Sequence, residues 1–294
     1  MSNWGKGVIN DIGWGQGANN DIGWGSIYDK SNAGETLLSG GGFEGMLNLF
    51  PNASLGLSLD KLDKNYTGSA IKVRRSSDNN ELDIGFVDGV LDIATLLTFA
   101  GTGDAFVTII YDQVGSNNMT QTTANLQGQI VSNGSVILKG GKPCIIRSAN
   151  NDGGYISTYA PNDGATVKGV FYVGQNSTPK SCLFGSYQGI GFSFISEDGN
   201  NGTVDRDVSS NTTKINGFTI TISDRNDVYN ETSSQFLLYR ELNFNFLDNV
   251  LGLGYRQNNP ANYGMFTFQE LVIFENIDDI SAKENNRNAI YNTY

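Results

Sequence analysis

The chain has 294 residues, 38% hydrophobic and only 17% charged, with 37 glycines and a formal net charge of −11. That acidity excludes nucleic acid as a partner, because phosphate contacts need Lys and Arg, and no apolar run approaches the roughly 18 residues that cross a bilayer. Histidine is absent altogether, which removes the usual base of Ser and Cys hydrolases and the commonest zinc ligand, and leaves carboxylates as the route to catalysis.

The chain opens on Trp-Gly pairs at Trp4, Trp14 and Trp24, and the hexapeptide Asn-Asp-Ile-Gly-Trp-Gly occurs twice, at 10–15 and 20–25. Ten residues turn a helix by roughly 280°, so the three indoles would share no helix face. Seven glycines within residues 4–25 also leave this stretch little core of its own. Residues 1–40 are therefore expected to form an extended arm whose Trp4, Ile12, Trp14, Ile22 and Trp24 insert into pockets on a neighbouring protein, since aromatic anchors dominate interface energetics. A Gly-rich joint at 37–45 leads into a domain over 41–294.

No basic-then-apolar leader follows Met1, so a soluble chain without a secretion signal is expected. Leu55, Leu59 and Leu62 lie at i, i+4 and i+7 behind Ser54, which predicts a short amphipathic helix. Two strands are predicted around the turn residues Ser77, Asp78, Asn79 and Asn80. A second short helix follows over "LDIATLLTF", then a strand over "AFVTIIYDQ". From about residue 130 onward nearly everything reads as strand and turn, in short apolar runs separated by Gly, Asn, Asp and Pro. That pattern predicts an all-β chain with minor short helices, an antiparallel sandwich or jelly roll. Near the end, one strand is predicted with Phe266, Phe268, Val272 and Phe274 on one face and Leu271 and Ile273 on the other. A short C-terminal helix from about Ala282 is predicted from the capping-box spacing of Ser281 and Glu284.

Asp83, Asp112, Glu197, Asp198, Glu241 and Glu270 are the carboxylates available for a glycosidase pair. Structural roles are the better expectation for them. Asp112 is expected to pair with Arg74 or Arg75 as a buried ion pair, and no catalytic residue is assigned. Asp198, Asn200, Asp205 and Asp207 could hold Ca²⁺, but the EF-hand spacing is not met and a calcium-free loop is expected. Tyr155, Tyr159, Tyr187 and Tyr255 lie beside turn residues where loops could display them to sugars. No site is named from them, because most Tyr in such a sandwich straddle core and surface. Cys144 and Cys182 are expected to be ordinary buried residues rather than a disulfide framework. Asn-x-Thr triplets such as Asn65–Thr67 are expected to carry no glycan.

Three short motifs carry a first resemblance: Tyr66-Thr67-Gly68, Val73-Arg74-Arg75-Ser76-Ser77-Asp78 and Ile110-Tyr111-Asp112-Gln113. The stretch that holds them, Leu55 to Gly115, is similar to the opening of the β-sandwich catalytic domain of fungal-type α-L-arabinofuranosidases. The nucleophile of those enzymes lies beyond this block, in a Cys-rich Asn-Ala-Glu segment with no counterpart here, so no catalytic residue is carried over. A second resemblance rests on the Trp-Gly repeats followed by a sandwich that closes on "FTFQELVIFENIDDISAKENNRNAIYNTY". The whole looks like a virion protein of tailed bacteriophages with a concanavalin-A-like or laminin-G-like domain. That resemblance implies a homotrimeric fibre, spike or decoration subunit, held to other virion proteins by the arm and displaying the sandwich for adhesion to host glycans. The alternative is a carbohydrate-active enzyme of the arabinofuranosidase type.

Overall fold

A computed structural model describes residues 44–148, 154–157, 159, 168–176, 180–186, 193–197, 199, 202, 212–242, 251–254 and 265–294. The arm expected over 1–40, with Trp4, Ile12, Trp14, Ile22 and Trp24, lies outside these residues.

One helical turn, α1 (Met46–Leu49), leads into β1 (Ala53–Ser58), β2 (Ile71–Arg75), β3 (Glu81–Ile84), β4 (Phe86–Val87) and β5 (Val90–Leu91). Helix α2 (Ile93–Ala100) precedes β6 (Ala105–Ile110), β7 (Met119–Thr120), β8 (Gln129–Ser132), β9 (Ser135–Val136), β10 (Leu138–Lys139) and β11 (Lys142–Pro143). Next come β12 (Ile145–Arg147), β13 (Tyr155–Ser157), β14 (Lys168–Gln175), β15 (Lys180–Ser186), β16 (Ser193–Glu197), β17 (Thr213–Ile215) and β18 (Phe218–Thr219). Helix α3 (Arg225–Glu231), β19 (Gln235–Leu242), β20 (Leu251–Leu253), β21 (Phe266–Phe268), β22 (Glu270–Phe274) and α4 (Ile280–Tyr291) complete the chain.

The expected antiparallel β-sandwich is what these elements build. The smaller sheet has the order β1-β22-β14-β19-β17-β18. The larger runs β16-β15-β20-β13-β7-β6-β8-β12-β21, with β2, β3 and β9 paired alongside. Between the sheets, Val170 and Tyr172 of β14 and Phe236 and Leu238 of β19 meet Ile71, Val73, Phe184, Phe194, Phe266 and Phe268 of the large sheet. Tyr172 lies between Phe184 and Phe236, each ring centroid 5.9 Å away, and its hydroxyl donates to the Thr267 carbonyl. The alternate residues of the same strands, Phe171, Val173, Leu237 and Tyr239, point the other way and pack with Val272, Phe274, Met46, Leu47 and Tyr291. Strand β14 is therefore apolar on both faces because a second layer, α1 and α4, covers the outside of the small sheet.

Three local expectations need correction. Residues 53–58 form a strand, not the start of a helix: Leu55, Leu57 and Leu59 enter the inter-sheet core at period two, and β1 pairs with β22 in the register Leu57↔Leu271. Long-range pairing overrides the local helical spacing here. The final apolar run is two strands, because Gln269 breaks it by donating from Nε2 to the Lys139 and Pro143 carbonyls. The break swaps faces, so Phe266 and Phe268 share the inter-sheet core with Leu271 and Ile273, whereas Val272 and Phe274 face the helices. Helix α4 starts at Ile280 on Asp279, which adopts left-handed backbone and caps nothing with its side chain. Glu284 pairs with Lys214 instead of closing a box. The predicted β2–β3 hairpin and helix α2 are present, the latter capped by Asp92, whose Oδ1 accepts from Thr95 N at 2.9 Å.

Candidate functional site

Among the described residues, helices cover the outside of the small sheet, and the outer face of the large sheet carries the exposed or half-buried Asp83, Lys72, Ile109, Thr120 and Ile156. Register places one row of residues across it: Asp83, Lys72, Ile109, Thr120, Ile156, Gly252, Gly185 and Ser193, on β3, β2, β6, β7, β13, β20, β15 and β16. Paired residues point to the same side. The opposite side carries the buried Ile84, Ile71, Ile110 and Met119. At Gly252 and Gly185 two adjacent strands present no side chain, and both glycines are buried. A second row holds Glu81, Arg74, Phe106, Gln129 and Ile146. There the Arg74 guanidinium lies 5.1 Å from the Phe106 ring centre, and its Nε donates to Gln127 Oε1 at 2.8 Å.

Of the sequence-predicted carboxylates, the row contains Asp83. Its side chain is 49% exposed, its Oδ1 accepts from the Tyr111 hydroxyl at 2.6 Å, and Lys72 Nζ stands 3.9 Å away. Burial, then the bond to Asp83, push the Tyr111 phenol well above its ordinary range, so it remains a donor. Glu197 ends β16 opposite Lys180 in register, and Asp198 lies outside the described residues. Glu241 belongs to the small sheet, where it accepts from Thr212 N at 3.3 Å. Among the described residues, Asp83, Glu197 and Glu241 lie on separate strands and are not brought together.

The ion pair expected between Asp112 and Arg74 or Arg75 does not form. Asp112 is buried and spends its oxygens on backbone amides, those of Gly56 and Val114 at 3.0 Å and Asn117 at 3.1 Å. Arg74 reaches Gln127 and Asn79, and Arg75 pairs with Asp78, whose carboxyl is held down at about 2 chiefly by that bond. A two-residue strand period points Arg74 at the open face, whereas Asp112 turns back toward β1. Next to it, Gln113 accepts from Leu62 N and donates to the Ser58 and Asp60 carbonyls. Ile110-Tyr111-Asp112-Gln113 is thus the joint that ties the edge of the small sheet to the large one.

Glu270 is the centre of a charged cluster that local sequence signals did not reveal. It is fully buried, and its Oε2 accepts from Ser58 Oγ and Arg287 Nη1, each at 2.9 Å, and from the Tyr291 hydroxyl at 3.3 Å. Its Oε1 has no partner among the described residues. Beside it, Lys142 Nζ lies 3.2 Å from Asp60 Oδ2 and 5.8 Å from the centre of the Tyr291 ring. Burial raises the Glu270 carboxyl above its ordinary range, against the lowering pull of Arg287. The cluster has no opening to solvent at Glu270, Arg287 or Tyr291. It holds α4 to the sheet and is not a place for a substrate.

Tyr155 and Tyr159 are buried rather than displayed, because Tyr155 points inward and its hydroxyl accepts from Gly128 N at 2.9 Å and donates to the Val107 carbonyl at 2.6 Å. Tyr187, Tyr255 and the Ca²⁺ candidates Asp198, Asn200, Asp205 and Asp207 lie outside the described residues. Cys144 and Cys182 are both buried, and neither forms a disulfide. Among the described residues no group of three or more His, Cys, Asp or Glu is placed to hold a metal ion.

The fold is that of a two-sheet antiparallel sandwich whose smaller sheet is covered on its outside by helices. More particularly, residues 58–160 match the family model of the α-L-arabinofuranosidase B catalytic domain. A solved structure agrees on the fold. A mutant of a GH54 α-L-arabinofuranosidase soaked with 4-nitrophenyl α-L-arabinofuranoside is similar with a TM-score of 0.52 at 17% identity, over 82% of this chain and 63% of that one. A GH54 α-L-arabinofuranosidase soaked with a cyclic sulfate inhibitor gives a TM-score of 0.48 at 16% identity, over 82% and 63%. The chain thus spans less than two thirds of the length of these structures. No curated protein sequence matches it.

These findings correct the virion reading, and with it the fibre, spike or decoration role: residues 58–160 match the model of an arabinofuranosidase catalytic domain, which favours the carbohydrate-active alternative. The virion resemblance rested on Trp-Gly repeats outside the described residues and on a closing strand-and-helix pattern that many sandwiches share.

Proposed function

We propose that the chain is a carbohydrate-active domain of the arabinofuranosidase type, a glycoside hydrolase that takes a furanosyl sugar on the open face of its large sheet. The observation that carries this reading is the extent of the family match: residues 58–160 run from the end of β1 through β13 and include β2, β3, β6, β7, β8, β12 and β13, the strands that build one half of that face. With no histidine in the chain, proton transfer falls to carboxylates, as glycoside hydrolysis requires.

The test is release of 4-nitrophenol from 4-nitrophenyl α-L-arabinofuranoside and of reducing sugar from arabinan, by the wild type and by Gly252→Val. The wild type is expected to cleave. The variant, which forces a branched side chain into a buried position, is expected to lose cleavage at a temperature where circular dichroism still shows it folded, with its melting temperature lowered by several degrees. A wild type that neither cleaves these substrates nor binds arabinan in calorimetry overturns the proposal.

A further inference from the structure

The open face is longer than one sugar needs. Seven strand steps at about 4.8 Å separate Asp83 from Ser193, a row of about 33 Å, and about 19 Å of it lies between Lys72 and the glycine strip at Gly252. The far end of this row carries a prepared polar group. Asp83 is held on one oxygen by the Tyr111 hydroxyl at 2.6 Å, with Lys72 Nζ at 3.9 Å. Its other oxygen, Oδ2, takes no bond from any described residue, and the side chain is about half exposed. The short contact to Tyr111 is a charge-assisted bond that fixes the carboxylate. Tyr111 also brings an aromatic ring whose apolar body is partly accessible.

A fixed carboxylate oxygen beside an ammonium donor and an aromatic ring recognises neighbouring hydroxyls on a sugar: the carboxylate accepts, the ammonium donates, and the ring covers C–H bonds. We propose that Asp83, Tyr111 and Lys72 form an outer subsite that binds a hydroxyl-rich unit of a glycan chain lying across the strands. That unit is several residues away from the one taken at the glycine strip. The inference rests on the carbohydrate reading above and adds to it a preference for long chains.

The experiment compares the wild type with Asp83→Ala and Tyr111→Phe, using calorimetric binding of an arabino-hexasaccharide and cleavage of 4-nitrophenyl α-L-arabinofuranoside. Both variants are expected to bind the hexasaccharide about tenfold more weakly, the size of one lost charge-assisted hydrogen bond, and to cleave the small substrate at the wild-type rate. Tyr111→Phe keeps the ring and the packing, so its result stands even where Asp83→Ala perturbs the hairpin. Unchanged hexasaccharide binding in both variants overturns the subsite while leaving the hydrolase reading intact. Equal losses on the short and long ligands overturn it as well, by placing these residues at the reacting sugar. A wild type inert to both ligands overturns both proposals.

Discussion

Replacing Arg287 with methionine isolates the charge at the buried cluster. Methionine keeps most of the side-chain volume, so the change leaves Glu270 with Ser58 and Tyr291 as its donors among the described residues. Losing one partner of a fully buried ion pair costs about 3–5 kcal/mol, which at roughly 2–4 °C per kcal/mol for a domain of this size lowers the melting temperature by about 6–20 °C. The cost depends on pH in a definite sense. Glu270 has its folded carboxyl raised above the ordinary value of 4.5 by burial, so the folded state holds this proton more tightly than the unfolded chain. Its contribution is most favourable at low pH and declines as pH rises from the ordinary value through the raised folded one. Removing Arg287 takes away the main lowering influence and raises the carboxyl further, so wild type and variant should differ most near neutrality and converge in acid. Urea unfolding at about pH 4 and about pH 7.5 measures this. A loss under about 1 kcal/mol near neutrality, or an equal loss at both pH values, would refute the reasoning. The double variant Glu270→Gln/Arg287→Met should recover most of the stability, because it removes the stranded charge.

Two further outcomes follow from buried groups elsewhere. Tyr155→Phe strands the Gly128 amide and the Val107 carbonyl in the core and should cost about 1–3 kcal/mol by urea unfolding, with no added pH dependence. Cys144, whose thiol burial pushes up to about 12, and the buried Cys182 should resist iodoacetamide at about pH 8 in the folded protein and react stoichiometrically once it is unfolded.

The sequence made the sandwich legible because most of its strands are short, alternate at period two and end on turn residues. The β2–β3 hairpin shows this best, with Asp78 and Asn80 bonded to each other at its turn. It misled where a distant partner decides the outcome. Leu55, Leu59 and Leu62 satisfy a helical spacing as well as a strand, and only pairing with β22 selects the strand. The break at Gln269 depends on carbonyls some 130 residues earlier in the chain, which no local window contains. The same limit governs the candidate site. Asp83 was visible as a carboxylate, but its partnership with Tyr111, its place in a row across eight strands and the alignment of Gly185 with Gly252 are properties of register. Asp112 was visible too, and its neighbours in sequence suggested arginine. The backbone amides it actually serves are set by the joint between the sheets.

The pairing of β1 with β22 also sets the order of events during synthesis. Strand β22 sits between β1 and β14 in the small sheet, so that sheet cannot close until more than two hundred residues after β1 have left the ribosome. Until then the doubly apolar β14 has an open edge, and such late, non-local closure is slow and prone to association. Heterologous production of this chain should therefore gain more from slow translation at low temperature, or from chaperone supply, than from substitutions that stabilise the finished domain.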